Sequence, residues 1–171
     1  MRVVPHRLVL VRHAKSSWDD PDLADHDRPL APRGEKALRR MRQHLEELGV
    51  RPDLVLCSSA RRTRATLEGI EKAFGHDVVV EVEDRLYAAD GHGLLARLQS
   101  IGDDVGTVLV VGHNPGIADL IDLLAAGDDA RPGVEDVPTG AIAVVSFGAP
   151  WASIGPGTGT LDSFWRPRPA R

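Results

Sequence analysis

Leu8-Val9-Leu10-Val11-Arg12-His13, Leu54-Val55-Leu56-Cys57-Ser58-Ser59 and Val108-Leu109-Val110-Val111-Gly112-His113 share one pattern, an apolar run that stops abruptly at side chains suited to phosphate binding or nucleophilic attack. Apolar runs of this length, separated by stretches with helical spacing, read as buried parallel strands. Open parallel sheets bind ligands just beyond the carboxyl ends of their strands. Arg12, His13, Arg61, Arg62 and His113 are therefore expected to meet at one edge of a sheet.

Working outward, strand and helix signals alternate. Lys15 to Ala31 is rich in Asp, Ser and Pro, lacks periodicity, and is long for a strand-to-helix connection, as binding loops and lids often are. From Pro32, which suits a first helical turn, Leu38, Met41, Leu45 and Leu48 recur at helical spacing up to a stop at Gly49. Ser58 or Ser59 can cap a second helix carrying Leu67, Ile70 and Phe74, which ends near Gly75. Val78 to Val82 reads as a third strand, Leu94 to Ile101 as a short helix stopped by Gly102, and Val108 to Val111 as the fourth strand. Asn114-Pro115-Gly116 has the order of an N-cap and first-turn proline, opening a helix with Ile117, Leu120, Ile121 and Leu124 on its face. Ala126 to Thr139 is a polar loop, Ala141 to Phe147 a fifth strand, Gly159 to Trp165 an edge strand, and Arg166 to Arg171 a loose tail.

With 171 residues the chain fits one domain, its core spanning about 7–165. A net charge of -4, with basic and acidic residues interspersed, gives no footprint for nucleic acid or an anionic membrane. The single Cys57 excludes an intrachain disulfide framework, and its place at the end of an apolar run reads as a buried thiol rather than a nucleophile or zinc ligand. No transmembrane segment or signal-peptide core is visible, so a cytoplasmic location is expected.

Arg12-His13-Ala14 resembles the Arg-His-Gly signature of the histidine phosphatase superfamily. Ser58 to Thr66, with Arg62 four residues from each end, resembles that family's serine–arginine–threonine segment, and Gly112-His113-Asn114 resembles its second histidine strand. Asp27-Arg28-Pro29-Leu30 through Gly34, and Thr139 through Ala143, are similar to the short phosphohistidine phosphatases of the SixA type. The resemblance extends from about Leu8 to Phe147. It implies a three-layer α/β/α fold like that of phosphoglycerate mutase, its mostly parallel central sheet flanked by helices. It also implies a catalytic set in which His13 takes the phosphoryl group while Arg12, Arg62 and His113 hold its oxygens. Ser16, Asn114, Lys15 and Trp18 are candidates for the substrate pocket, and neither metal nor cofactor is expected.

Phosphoryl transfer needs positioning, cationic stabilisation and an in-line nucleophile more than bond-making machinery. A histidine beside two guanidinium groups should have its pKa lowered by like charge and so remain nucleophilic near pH 7. Two departures bear on the substrate. Ala14 stands where the superfamily has glycine, as short SixA-like members accept. Asp84 to Ala88 offers no carboxylate where many members place the acid that protonates the leaving oxygen, leaving Asp90 as the nearest substitute. An imidazole departs with less help than an alkoxide, so the missing acid favours a phosphoramidate or an activated phosphoester, and phosphohistidine in a protein is the leading expectation. A small-molecule phosphomonoesterase is the alternative, and a non-catalytic phosphate-binding module a third. Lys15, Arg28, Arg33 and Arg61 are basic residues that could flank the pocket and attract an acidic partner surface. His26, His44, His76 and His92 lack metal-ligand spacing and read as surface or loop residues, and Gly155 to Gly159 reads as a turn rather than a phosphate loop.

Overall fold

A computed structural model describes residues 5–125 and 136–168. The apolar runs form a single six-stranded sheet: β1 (His6–Arg12), β2 (Leu54–Ser58), β3 (Val79–Glu83), β4 (Thr107–Gly112), β5 (Ile142–Phe147) and β6 (Gly159–Trp165). Its spatial order is β3-β2-β4-β1-β5-β6. Pairing is parallel through β3, β2, β4 and β1, while β5 runs antiparallel to both β1 and β6. Arg12 is in register with Gly112, Cys57 with Val111 and Ser58 with Glu83, so the residues following the three quoted runs emerge along one sheet edge.

Side chains alternate across a strand, and the central residues of β1, β2 and β4 are apolar on both sides of that alternation because both faces are covered. Leu8, Leu10, Leu54, Leu56, Val108 and Val110 pack against α3 (Gly91–Gln99) and α4 (Gly116–Leu124). Val9, Val11, Val55, Cys57, Leu109 and Val111 pack on the other face, against α1 (Pro32–Glu47) and α2 (Arg61–Ile70). The outcome is the three-layer α/β/α arrangement expected. α1 begins at Pro32 and is followed by Gly49 at φ 64°. A 3-10 turn over Glu71–Phe74 extends α2 to Gly75, at φ 73°. The third strand lies within one residue of where the sequence placed it. β3 is an edge strand, with Val79, Val80 and Val82 exposed, and only β2 beside it.

Two helix starts differ from their sequence reading. α2 is preceded by Ala60, with no side-chain cap, because Ser58 Oγ is engaged with His113 Nε2 at 2.7 Å and Ser59 Oγ with His26 Nε2 at 2.9 Å. At α4 the capping position is Pro115 rather than Asn114, though Asn114 Oδ1 still accepts the Ala118 N–H at 3.3 Å. Cys57 is fully buried, and burial pushes its thiol up to about 12. The Gly155 to Gly159 stretch is a turn, in which Thr158 Oγ1 accepts the Gly155 N–H and donates to the Gly155 carbonyl. The reading of Ala126 to Thr139 as a polar loop falls mostly outside the described residues, as does the end of the Arg166 to Arg171 tail.

The loop from Lys15 to Ala31 is tied down at both ends. Ser17 N–H donates to Pro29 O, Ala31 N–H donates to Lys15 O, and Ser16 bridges to Leu30. Gly34 in α1 packs so closely against this loop that a Cβ there would lie 2.1 Å from the Lys15 carbonyl oxygen. Backbone cannot yield as a flexible side chain can, so Gly34→Ala is expected to cost about 1–3 kcal/mol. For a chain of this length that corresponds to a fall in Tm of roughly 2–4 °C per kcal/mol, which thermal unfolding measures directly. An unchanged Tm would show that the loop relaxes freely.

Candidate active site

His13 follows the last residue of β1 and is 6% exposed. Its Nδ1 lies 2.7 Å from the Ala14 carbonyl oxygen, and since a carbonyl only accepts, Nδ1 carries the proton. The lone pair is thereby placed on Nε2, the nitrogen free to attack. The Ala14 N–H is held in turn by Thr66 Oγ1 at 3.0 Å, and that hydroxyl donates to the Arg62 carbonyl at 2.7 Å. Thr66 thus ties the nucleophile's loop to the helix that carries Arg62.

His113, just past β4, lies with its ring centroid 5.3 Å from that of His13. Ser58 Oγ accepts the Ala60 N–H and pairs with His113 Nε2 at 2.7 Å; in the tautomer in which the hydroxyl donates, Nδ1 of His113 carries the proton. Arg12 Nη1 donates to the Val137 carbonyl at 2.9 Å, and Arg62 donates to the Asp25 carbonyl at 2.8 Å and to Asp25 Oδ2 at 3.1 Å. Three nitrogens here, Arg12 Nε, Arg62 Nε and His113 Nδ1, are buried without a partner, and the two guanidinium nitrogens are always donors. Buried donors are ordinarily satisfied, so such a concentration marks a place built for acceptors such as phosphoryl oxygens.

Burial lowers the His13 pKa to about 3, with the charges of His113, Arg62 and Arg12 acting in the same direction and the Ala14 hydrogen bond opposing. His113 is lowered to about 4, again by burial first and then by Arg62. The direction matches the expectation from sequence, but desolvation outweighs like charge as its cause. Both rings are neutral at pH 7.

Asp25, Tyr87 and His26 were not singled out as site residues by the sequence. Asp25 lies in a 3-10 turn over Asp25–Asp27. Its carboxylate accepts from the Tyr87 hydroxyl, Arg62 and Arg28, and the Tyr87 bond, with the arginine interactions, holds it down at about 2. Tyr87 also packs edge-on against both His113 and His26. The signal available was local. Asp25 stands three residues before Arg28 in an acidic loop directly after the nucleophile's strand, where a carboxylate fits as an arginine clamp.

Ser16 is buried and accepts from Arg28 Nη1 at 2.9 Å, which makes it a support for the loop. Asn114 Nδ2 donates to Val137 O at 2.8 Å, so its amide joins Arg12 in fixing the chain at Val137. Trp18 is 71% exposed, with the Arg28 guanidinium carbon 3.4 Å from its ring centroid. Lys15 points into a separate groove lined by Arg33, Lys36 and Arg40. Arg28, one of the basic residues that could flank the pocket, is buried and spent on Asp25, Ser16 and Ser17. Asp90 is not brought to His13: its carboxylate caps α3 by accepting the Gly93 N–H at 2.7 Å. Among the described residues no group of three or more His, Cys, Asp or Glu is placed to hold a metal ion, and no helix is long and apolar enough to cross a membrane.

A buried, neutral histidine among arginine donors at the carboxyl edge of a parallel sheet defines the class: an enzyme that transfers phosphoryl groups. Residues 8–90 match the family of the histidine phosphatase superfamily (branch 1), and the chain belongs to that superfamily. An uncharacterised protein of Mycobacterium tuberculosis is 39% identical over 92% of this chain and 100% of its own length, and a chloroplastic protein of Arabidopsis thaliana is 33% identical over 96% and 79%. Among solved structures, SixA of Nakamurella multipartitia superposes with a TM-score of 0.78 at 33% identity, covering 95% of this chain and 96% of that one. The protein histidine phosphatase SixA in complex with tungstate gives a TM-score of 0.77 at 28% identity, over 94% and 97%. The protein is a phosphatase of SixA-like fold.

Proposed function

We propose that the protein removes phosphoryl groups from phosphohistidine in proteins, through a covalent phosphohistidine on His13 and without a metal. The observation that carries this reading is the trio of unpartnered buried nitrogens, Arg12 Nε, Arg62 Nε and His113 Nδ1, beside an unprotonated His13 Nε2. The tungstate held by the similar SixA is a tetrahedral oxyanion, the kind of group these donors suit.

In the first half-reaction His13 Nε2 attacks phosphorus, the bond from phosphorus to the leaving nitrogen breaks, and the three donors stabilise the charge on the equatorial oxygens. A leaving imidazole already protonated on its other nitrogen departs neutral and needs no proton from the enzyme. In the second, water attacks phosphorus and His13 leaves as neutral imidazole, because its Nδ1–H stays bonded to Ala14 O. Neither half requires a carboxylic acid. Asp25, the carboxylate bonded to Arg62, is held ionised, and Asp90 lies away from His13 as a helix cap, in keeping with that chemistry. An unactivated phosphomonoester would need a donor for its alkoxide.

The test is hydrolysis, in chelator, of a phosphohistidine-bearing protein beside a panel of small phosphomonoesters. Turnover of the phosphoprotein at a kcat/KM at least tenfold above that of any ester is expected. Preferential turnover of the esters would move the assignment to a small-molecule phosphatase, and turnover of nothing would leave a phosphate-binding module.

A further inference from the structure

Lys15, Arg33, Lys36, Arg40 and Arg168 line one groove of about 250 Å³ beside the active site, with Ala37, Pro138, Thr139 and Pro167 as its uncharged walls. No carboxylate among the described residues forms an ion pair with any of the five cations, whereas Arg28, Arg42, Arg62, Arg85 and Arg97 all have acidic partners. Mixed surfaces normally interleave charges, and this chain as a whole is acidic. Five like charges converging on one concave surface repel one another in the folded state, a cost that a bound polyanion removes. Arg33, Lys36, Ala37 and Arg40 follow one another at helical spacing, so α1 presents them as a stripe. The amino end of that helix, which lies beside the groove and has no side-chain cap, adds positive potential of its own.

The groove shares its walls with the nucleophile's loop. Lys15 is two residues beyond His13, its carbonyl accepts the Ala31 N–H at the start of α1, and Gly140, next to Thr139, donates to the His13 carbonyl at 2.9 Å. A chain segment lying in the groove is therefore adjacent to a phosphoryl group on His13. Resting on the proposed activity, we infer that this groove docks an acidic segment of the phosphorylated protein, holding it while the phosphohistidine is presented to His13. A single phosphate carries about two negative charges. The five cations, drawn from three separated stretches of chain, match a run of several Asp or Glu side chains better, and the walls of Ala37, Pro138 and Pro167 suit their methylenes.

Two readouts test the inference with the double variant Lys36→Glu/Arg40→Glu, whose side chains lie on α1 away from the catalytic set. First, a fluorescent octaglutamate peptide should bind the wild type at low salt, weaken steeply with ionic strength, and lose at least tenfold in affinity in the variant. Second, kcat/KM toward an acidic phosphohistidine protein should fall by a similar factor through KM, while turnover of free phosphohistidine stays within twofold. Octaglutamate that fails to bind the wild type, or binds the variant equally well, overturns the docking site. Equal loss on protein and free phosphohistidine overturns it as well, since that would be a general effect on the active site. A wild type that binds octaglutamate yet hydrolyses no phosphohistidine protein would preserve the groove as a site for acidic peptides and refute the proposed activity instead.

Discussion

His13→Ala is expected to lower turnover by on the order of 10⁴-fold or more, the scale on which loss of a covalent nucleophile acts. Stability should change far less, or even rise. The imidazole is buried at a cost in desolvation, and the hydrogen bond it makes to Ala14 O exchanges one bond to water for one within the chain. In a quenched reaction the wild type should carry phosphate that is labile to acid and stable to alkali, as a phosphoramidate is, and the variant should carry none. Because Arg12, Arg62 and His113 remain, the variant should still bind inorganic phosphate within a fewfold of the wild type. Separating catalysis from anion binding distinguishes a nucleophile from a residue that merely shapes the pocket. A variant that retains more than about a hundredth of wild-type turnover would place the attacking group elsewhere.

The features legible in the sequence were those decided by periodicity and by strand ends. Both faces of β1, β2 and β4 are apolar because both are covered, and a run apolar at every position can be read as such without coordinates. The meeting of His13, His113 and Arg62 followed from three such runs ending at one edge. What could not be read was how the polar side chains would be shared out. Arg28 and Arg62 are both arginines in polar surroundings. The first is consumed by Asp25 and Ser16, while the second shares Asp25 but keeps its Nε unpaired and buried. Only the path of the loop from Lys15 to Ala31 decides between them, and that path depends on long-range bonds such as Ser17 N–H to Pro29 O. Ser58 illustrates the same point. Its place before a helix made it a natural cap, yet a histidine from a neighbouring strand takes the hydroxyl. Val78 to Val82 could be read as a strand, and β3 is one, but the sequence does not say whether such a strand is central or at the rim. Its exposure follows from a position at the edge of the sheet that no local pattern reveals.

Stability should fall steeply as pH drops from about 6.5 towards 4, well above the range in which ordinary carboxylates titrate. The sign follows from the two histidines. In the unfolded chain each takes a proton near 6.5, whereas in the folded protein burial holds His13 down at about 3 and His113 at about 4. Between those limits the unfolded state binds more protons, and stability must rise with pH. The full contribution is present above 6.5 and is lost progressively below it. For His13 the loss amounts to a few kcal/mol, on the order of a third of a small domain's total stability. Asp25 acts in the same direction at lower pH, because its folded value of about 2 lies below the ordinary one and its stabilisation is lost only as pH falls through the range beneath 4. Urea midpoints measured from pH 8 to pH 4 should therefore decline in the histidine range, and the decline should flatten in the double variant His13→Asn/His113→Asn, which has no imidazole to protonate in the unfolded chain. The same displacement shapes the rate profile. With His13 already neutral, kcat/KM should show no loss near pH 6.5 and should hold down to the pH at which the fold itself fails. An acid limb titrating at 6 to 7 in a protein whose urea midpoint is unchanged over that interval would mean that His13 keeps an ordinary pKa, and that the buried, unprotonated nucleophile is not the reacting form.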